Sequence, residues 1–484
     1  MNTNVRSQEP KSLWNHFADL NAIPRASKKE ERVIAFAKKF GESLGLETIE
    51  DHIGNVIIKK PATPGMEGRK TVVLQSHLDM VHQKNNDTVF DFDTEGIKMI
   101  VDGDWIKAEG TTLGADNGIG VASIMAVLSA TDIEHPPLEA LFTIDEETGM
   151  TGALELKGGF LDADIMLNLD TEDDDELTIG CAGGIDVTAQ GKYDSQQTPS
   201  GVSTFKVEIK GLSGGHSGME IHKGLGNANK LMNRLLTALS KETKIYLHQI
   251  DGGGLRNAIP RESVAIVSVE SADTFQKIIS EYKTIYNREY RSTDASLVIE
   301  TESITTPAEF ADMKFASQFL KAIYACPSGI YRMSPEMDDL VQTSNNLARV
   351  LVKDGKYEVL CLTRSSVDSE KTDMVMTLTS IFELIGGEVS TSGDYPGWTP
   401  DPSSSIVDLM SKLYEEMYQE KPHVYACHAG LECGILGTNY PEMEMISFGP
   451  NIRGAHSPDE RVQISSVQKY WGFLLETLKR TPNK

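Results

Sequence analysis

Two histidines and several carboxylates follow short apolar runs at intervals along the chain. Val72-Val73-Leu74 leads to His77-Leu78-Asp79, Leu141 to Ile144 leads to Asp145-Glu146-Glu147, and Ile165 to Leu169 leads to Asp170. Met445 to Phe448 leads through a glycine-bearing loop to His456, and Asp116-Asn117-Gly118 stands just before a helical pattern. Imidazoles and carboxylates without thiolates are a ligand set that suits zinc in a catalytic rather than a structural role. Two ions about 3.5–4 Å apart need a shared carboxylate and one or two further ligands each, and this set supplies them. Asp79, two residues after His77 on an extended segment, points the same way as the ring. It can accept the ring N–H and fix the tautomer. Of Glu146 and Glu147, at a strand end, one can bind metal while the other takes a proton from the attacking water.

Each piece also has an ordinary reading. His-x-Asp pairs are common, Asp-Glu-Glu runs are mostly solvated turns, and Asp-Asn-Gly marks turns and helix starts. A histidine before Ser-Pro is ordinarily loop surface. Order and placement give the pieces joint weight, because ligands of open α/β sheets gather at the carboxyl ends of the strands. The acidic run Glu172-Asp173-Asp174-Asp175-Glu176 reads as a solvated loop. Cys427, His428 and Cys433 lack the close spacing and the second pair of a structural zinc site.

The elements that must position these residues alternate. Ser12 to Leu46 predicts two helices broken at Ile23-Pro24-Arg25, with Ser27 and Glu30 as a capping box for the second. Strands are predicted at 56–58, 71–75, 138–144 and 165–169, and a helix over 118–129. Strands alternating with helices argue for an α/β layer. From Thr204 the pattern is strand, helix (225–239), strand (244–249), strand (263–269), helix (274–286) and strand (296–300). That is the ferredoxin-like β-α-β-β-α-β order. A similar piece recurs as strand 357–363, helix 371–385 and strand 388–391. The turn-rich stretch Gly393 to Pro402 reads as a linker. After it, helix 404–418, a strand near 443–447 and helix 465–480 restore the α/β texture. The expected organisation is a catalytic domain in two parts, 1–185 and 400–484, interrupted by an inserted α+β domain at 186–399.

The bulk numbers exclude some partners. Among 484 residues, 46 are Lys or Arg and 71 are Asp or Glu, a formal net charge of −25. Such a surface repels phosphate backbones and anionic lipid, so neither nucleic acid nor a membrane is expected as a partner. Five scattered cysteines imply no disulfide framework and fit a reducing compartment. Met1 to Pro10 is polar, without the apolar stretch of a signal peptide. The longest apolar stretches, such as 121–128, fall far short of the roughly 18 residues that span a bilayer. A cytoplasmic location is expected.

In this order the pieces resemble the di-zinc aminoacylase and glutamate-carboxypeptidase family of metallopeptidases. Those that carry the resemblance are Ser76-His77-Leu78-Asp79-Met80, Gly114-Ala115-Asp116-Asn117-Gly118, Asp145-Glu146-Glu147-Thr148-Gly149, Asn168-Leu169-Asp170 and Gly454-Ala455-His456-Ser457. The likeness extends to Leu20-Asn21-Ala22-Ile23-Pro24-Arg25 and to the inserted domain, and it is nearest the dipeptidase branch. It implies a mixed sheet flanked by helices with a lid domain inserted. His77 and Asp170 would bind one zinc ion, Glu147 and His456 the other, and Asp116 would bridge them, with Co²⁺ or Mn²⁺ as possible substitutes. Asp79 would orient His77, and Glu146 would be the general base. In the lid, Gly214-Gly215-His216-Ser217-Gly218 matches a motif whose histidine binds the oxyanion. Asn257, Arg364 and the backbone at Gly430 would line the substrate pocket, Arg364 holding the substrate carboxylate. The implied activity is hydrolysis of unblocked dipeptides, Xaa-His dipeptides included, by a homodimer. If the lid holds two ferredoxin-like halves, His216 could serve its own chain; if not, a dimer partner would have to supply it. An N-acyl amino acid deacylase or carboxypeptidase on the same scaffold, and a non-catalytic metal-dependent binding protein, are the alternatives. The base Glu146 argues against the last.

Overall fold

The computed structural model describes residues 3–484; Met1 and Asn2, which open the polar N-terminal stretch, lie outside them. The chain forms two units. One is built from the chain up to Gly180 with Pro400–Ala426 and Leu431–Lys484, the other from Cys181–Thr399 with Cys427–Gly430.

The first unit is organised by an eight-stranded mixed sheet. At its centre Leu138–Thr143, Val72–His77, Ile165–Asn168 and Glu444–Ser447 lie side by side and run parallel. The first three are buried along their whole length. Their near-continuous apolar runs are what parallel strands covered on both faces require. Parallel pairing also aligns the carboxyl ends: His77 stands opposite Thr143, and Gln75 and Ser447 opposite Asn168. The helix Ala115–Ser129 packs on Val72–His77 and is buried from Asn117 to Leu128. Its first turn departs from the predicted start at Gly118, because Asp116 and Asn117 belong to the element but hold non-helical backbone angles.

Ser27 and Glu30 do not form the predicted capping box. The helix runs Glu31–Ser43 with Glu30 at the N-cap and no side-chain cap bond. Ser27 Oγ instead donates to Asp79 Oδ2 (2.7 Å), and Glu30 Oε1 accepts from the N–H groups of Lys28 and Asp145. Tertiary partners have taken both polar groups.

The second unit contains a nine-stranded antiparallel sheet. Strands Ser203–Lys210, Ile245–Gly253, Ser263–Val269 and Val298–Ser303 form one half, with helices Ala228–Glu242 and Ala272–Glu289. Numbered along the chain, these strands lie in the order 4-1-3-2. The recurring piece is complete as well. Gly183–Lys192, helix Met313–Ala325, Val341–Lys353, Lys356–Ser365, helix Asp368–Glu383 and Glu388–Tyr395 repeat β-α-β-β-α-β, with the first half inserted after the first strand. Their strands mirror the order as 2-3-1-4. One core serves both halves, with Phe205 stacked on Phe275 and Phe319 edge-on to Tyr357. The helix predicted from Leu225 begins at Ala228, because the Asn227 side chain accepts from the N–H groups of Asn229 and Lys230 and caps it there. The segment from Gly393 is not wholly linker. A strand continues to Tyr395, whose carbonyl accepts from Lys371 (2.6 Å), and Trp398 bridges to Cys181.

The halves join where Ile250–Gly253 pairs with Arg349–Val352. Gly253 there has φ +73°, and a Cβ would overlap the Ala348 carbonyl oxygen. Gly253→Ala is therefore expected to destabilise the protein by at least about 1 kcal/mol, read as a lower urea midpoint at unchanged slope.

Candidate metal centre

The carboxyl ends of three neighbouring strands carry His77, the Asp145-Glu146-Glu147 turn and Asp170, and the loop after Glu444–Ser447 carries His456. With Asp116 these side chains converge. His77 Nε2 lies 3.2 Å from Asp116 Oδ1 and 3.6 Å from Asp170 Oδ1. His456 Nε2 lies 3.2 Å from Asp116 Oδ2 and 2.9 Å from Glu147 Oε2. Asp116 thus turns one oxygen to each imidazole. Two three-residue groups with metal-ligand spacing share it: His77–Asp116–Asp170 and Asp116–Glu147–His456. Glu146 stands with His77 and Glu147 in a third such group.

The atoms fit cations. His77 Nδ1 faces the backbone oxygen of Asp79 at 3.1 Å and its Oδ1 at 3.3 Å, so its proton belongs on Nδ1 and Nε2 is left as the ligand atom. Glu147 Oε1 is buried without a hydrogen-bond partner. A cation between such groups would satisfy both, since buried polar atoms ordinarily find a partner.

Electrostatics carry the same imprint. Burial disfavours a charged ring at His77, but Asp170, Asp116 and Asp79 outweigh it and hold its pKa well above 6.5. Hydrogen bonds to Asp116 and Glu147 take His456 to about 11. Asp116 is pushed up by burial yet ends below its ordinary range, because His456 and His77 flank it. Burial, with other carboxylates nearby, drives Glu146 and Asp170 well above theirs.

A frame of further buried and paired groups surrounds these residues. Arg25, fully buried, donates to the carbonyls of Leu78 (3.0 Å), Asp79 (2.9 Å) and Gly114 (2.6 Å). It ties the segment after His77 to the segment before Asp116. Besides its contact with His77, Asp79 has further partners: its carboxylate oxygens accept from Ser27 and from the N–H groups of Glu146 and Glu147. Glu432, 1% exposed, accepts from Gln75 (2.6 Å) and Thr143 (2.7 Å) beneath the site. Burial raises it to about 7. Its partners are hundreds of residues distant, so no local pattern marks it. The acidic run is not a solvated loop. Asp173 pairs with Arg453, and Asp174 pairs with Lys469 (2.7 Å) and Asn451. Glu172 is raised to about 8 by burial and by Asp116.

The second unit places the other candidates. The N–H groups of Gly218 (3.2 Å) and Met219 (3.0 Å) donate to His216 Nδ1, which leaves the ring proton on Nε2 as a donor. Burial and Arg364 lower the His216 pKa, so the ring is neutral. Arg364 is 6% exposed, donates to the Tyr395 hydroxyl at 2.8 Å, and has a buried Nε without partner. No carboxylate lies within ion-pair range of it among the described residues. A Cβ on Gly218 would meet His216, Arg364 Nε and the His428 carbonyl, so His216 and Arg364 adjoin the segment that ends in half-buried Gly430. Asn257 is exposed, and its carbonyl accepts from the Ser217 N–H at 2.8 Å.

These features define a peptidase: the chain belongs to peptidase family M20/M25/M40, whose profile matches residues 73–480. It is metal-dependent, as membership of that family implies, and the clustered His and carboxylate groups are able to hold metal ions. The chain is similar to the cytosol non-specific dipeptidase of Escherichia coli (strain K12), 44% identical over 477 residues and 98% of each chain. It is similar as well to the crystal structure of aminoacylhistidine dipeptidase from Vibrio alginolyticus, with 43% identity and a TM-score of 0.95 over 99% of this chain and 98% of that one. An aminopeptidase from Bacillus cereus ATCC 10987 shares the fold at 16% identity, TM-score 0.57, over 98% of each chain.

Metal and proton compete for the same atoms. In the ion-free protein the His456 pKa is about 11 against an ordinary 6.5. Its ion pairs with Asp116 and Glu147 are therefore fully present below about pH 6.5 and lost as pH rises toward 11. A bound cation must displace these ring protons. Calorimetric titration of metal-free protein is expected to show proton release and tighter binding at pH 8 than at pH 6.

Proposed function

We propose that the chain is a dipeptidase that hydrolyses unblocked dipeptides, Xaa-His dipeptides included, with two zinc ions bound. The observation that carries this reading is Asp116, with one oxygen turned to His77 and the other to His456. The names of the two relatives above 40% identity support the substrate class. His77 and Asp170 would hold one ion, Glu147 and His456 the other, and Asp116 both. Bound there, two divalent cations polarise a scissile carbonyl and lower the pKa of an attacking water.

The chain's own residues would do the rest. Glu146 takes the water proton as general base and returns it to the leaving amine. Its raised pKa in the ion-free protein suits a carboxyl able to carry a proton. Asp79 holds His77 in its ligand tautomer. His216 donates from Nε2 to the oxyanion of the tetrahedral intermediate; a donor of that kind is worth about 10²–10³ in rate. Arg364, a buried guanidinium without a carboxylate partner, receives the substrate carboxylate, with Asn257 and the backbone at Gly430 beside the peptide. The second unit, 186–399 in the sequence reading, would be the lid. Its two ferredoxin-like halves favour His216 acting in its own chain. A homodimer in the cytoplasm completes the reading, and among the described residues no helix is long and apolar enough to cross a membrane.

Turnover of Ala-His, β-Ala-His, Gly-Gly-Gly and N-acetyl-methionine, with metal removed and restored, tests this. Zinc-dependent cleavage of the dipeptides is expected. Glu146→Ala should lower kcat by about 10²–10⁴ at unchanged metal content. Cleavage of the acetylated compound alone would make the protein a deacylase, and no turnover by metal-loaded protein would refute the dipeptidase reading.

A further inference from the structure

We infer that Glu460 is a positioning residue for the carboxylate that the two metal subsites share, tying Asp116 to the loop that carries His456. Glu460 is 2% exposed, and four consecutive backbone N–H groups converge on its carboxylate. Leu113 (2.7 Å) and Gly114 (2.9 Å) donate to Oε2; Ala115 (2.7 Å) and Asp116 (3.2 Å) donate to Oε1. Successive N–H groups around a left-handed residue form an anion-binding nest. The left-handed residue here is Gly114, with φ 69° and ψ 33°. A Cβ at that glycine would collide with the Arg25 guanidinium and the Met80 sulfur, so the nest needs glycine on two counts.

The other end of the strut is equally fixed. Glu460 N–H donates to the Ser457 carbonyl (3.1 Å), and Ser457 N–H to that of Gly454 (3.2 Å), so the turn holding His456 is closed by its own hydrogen bonds. His456 itself has φ 64°. One carboxylate therefore sets the distance between the backbone of Asp116 and the turn of His456. The side chains of those two residues meet at 3.2 Å. Arg25 does the corresponding work for His77 and Asp116 through the carbonyls of Leu78, Asp79 and Gly114. Glu460 also closes the turn of His456 and, among the described residues, makes no hydrogen bond to the strands of His77 and Asp170, so its loss should fall more heavily on the Asp116–Glu147–His456 subsite than on the other.

The chemistry of substitution follows. A carboxylate has acceptor sites for all four N–H groups. A glutamine keeps one acceptor oxygen and turns an NH₂ toward two donors, which would spread the nest and tilt Asp116. An aspartate keeps both oxygens but is one methylene too short to reach all four.

This inference rests on the two-metal reading, so wild-type protein is titrated beside the variants. Metal-free wild type, Glu460→Gln and Glu460→Asp are titrated with Mn²⁺, and the loaded forms are compared by electron paramagnetic resonance. Wild type is expected to bind two ions with a spin-coupled spectrum. Glu460→Gln should bind the second ion about 10–100-fold more weakly and give a single-ion spectrum, with Glu460→Asp between them. A merely structural role would lower the melting temperature but leave the spin coupling intact. Two coupled ions at wild-type affinity in both variants would overturn the inference. If circular dichroism shows that the glutamine variant does not fold, the aspartate variant decides, and wild-type second-ion affinity there would overturn it. A wild type that binds no ion pair would refute the two-metal reading, and the inference with it.

Discussion

Asp116 carries a geometric constraint that the rest of the first unit serves: both of its oxygens must face imidazole nitrogens on opposite sides. Asp116, Glu146, Glu147, Asp170, Glu172, Glu432 and Glu460 all cluster around that point. Gathering so many carboxyl groups away from water is costly, since like charges repel strongly where the dielectric is low. The raised pKa values of Glu146, Asp170, Glu172, Glu432 and Glu460 register that cost. Arg25 is the one guanidinium buried in this unit among the described residues, and even with protons on His77 and His456 three single positive charges do not balance the set of seven carboxyl groups. Divalent cations do, which is why the cluster reads as a metal centre rather than as a stabilising network.

The scaffold meets the constraint with parallel pairing. Four adjacent strands ending on one side bring residues from distant parts of the chain within a few ångströms without long loops. Beneath the ligands, Asn168, Gln75, Thr143 and Glu432 form a buried chain of hydrogen bonds across three strands and a helix. These bonds tie the neighbouring strands to one another, while Asn168 Oδ1 and Glu432 Oε1 stay buried without a hydrogen-bond partner. The remaining freedom lies in the two loops that hold Asp116 and His456, and both have left-handed residues closed by hydrogen bonds.

The second unit answers a different problem. A single ferredoxin-like half leaves the edge of Ile245–Gly253 unpaired, and an exposed strand edge invites association. Here Val341–Lys353 of the second half covers it, so one chain builds the continuous sheet and a shared core.

Much of this was legible in the sequence. The apolar runs ending in His77, Glu146-Glu147 and Asp170 announced buried strands with polar ends, because hydrophobic continuity and strand-end placement are local properties. The alternation after Thr204 likewise showed the element order of the first ferredoxin-like half and part of the second, and Asp79 lies close enough to His77 for their contact to follow from spacing. Other features needed the folded chain. Ser27 and Glu30 match a helix cap locally but are claimed by Asp79 and Asp145. The acidic run from Glu172 matches a solvated loop but meets Arg453 and Lys469. Arg25, Glu432 and Glu460 meet backbone or side-chain groups as far as 357 residues away. Sequence sets which groups exist and how their near neighbours are spaced. Which buried charge meets which distant N–H is decided by packing, since those partners come together only when the sheet has brought its ends to one place.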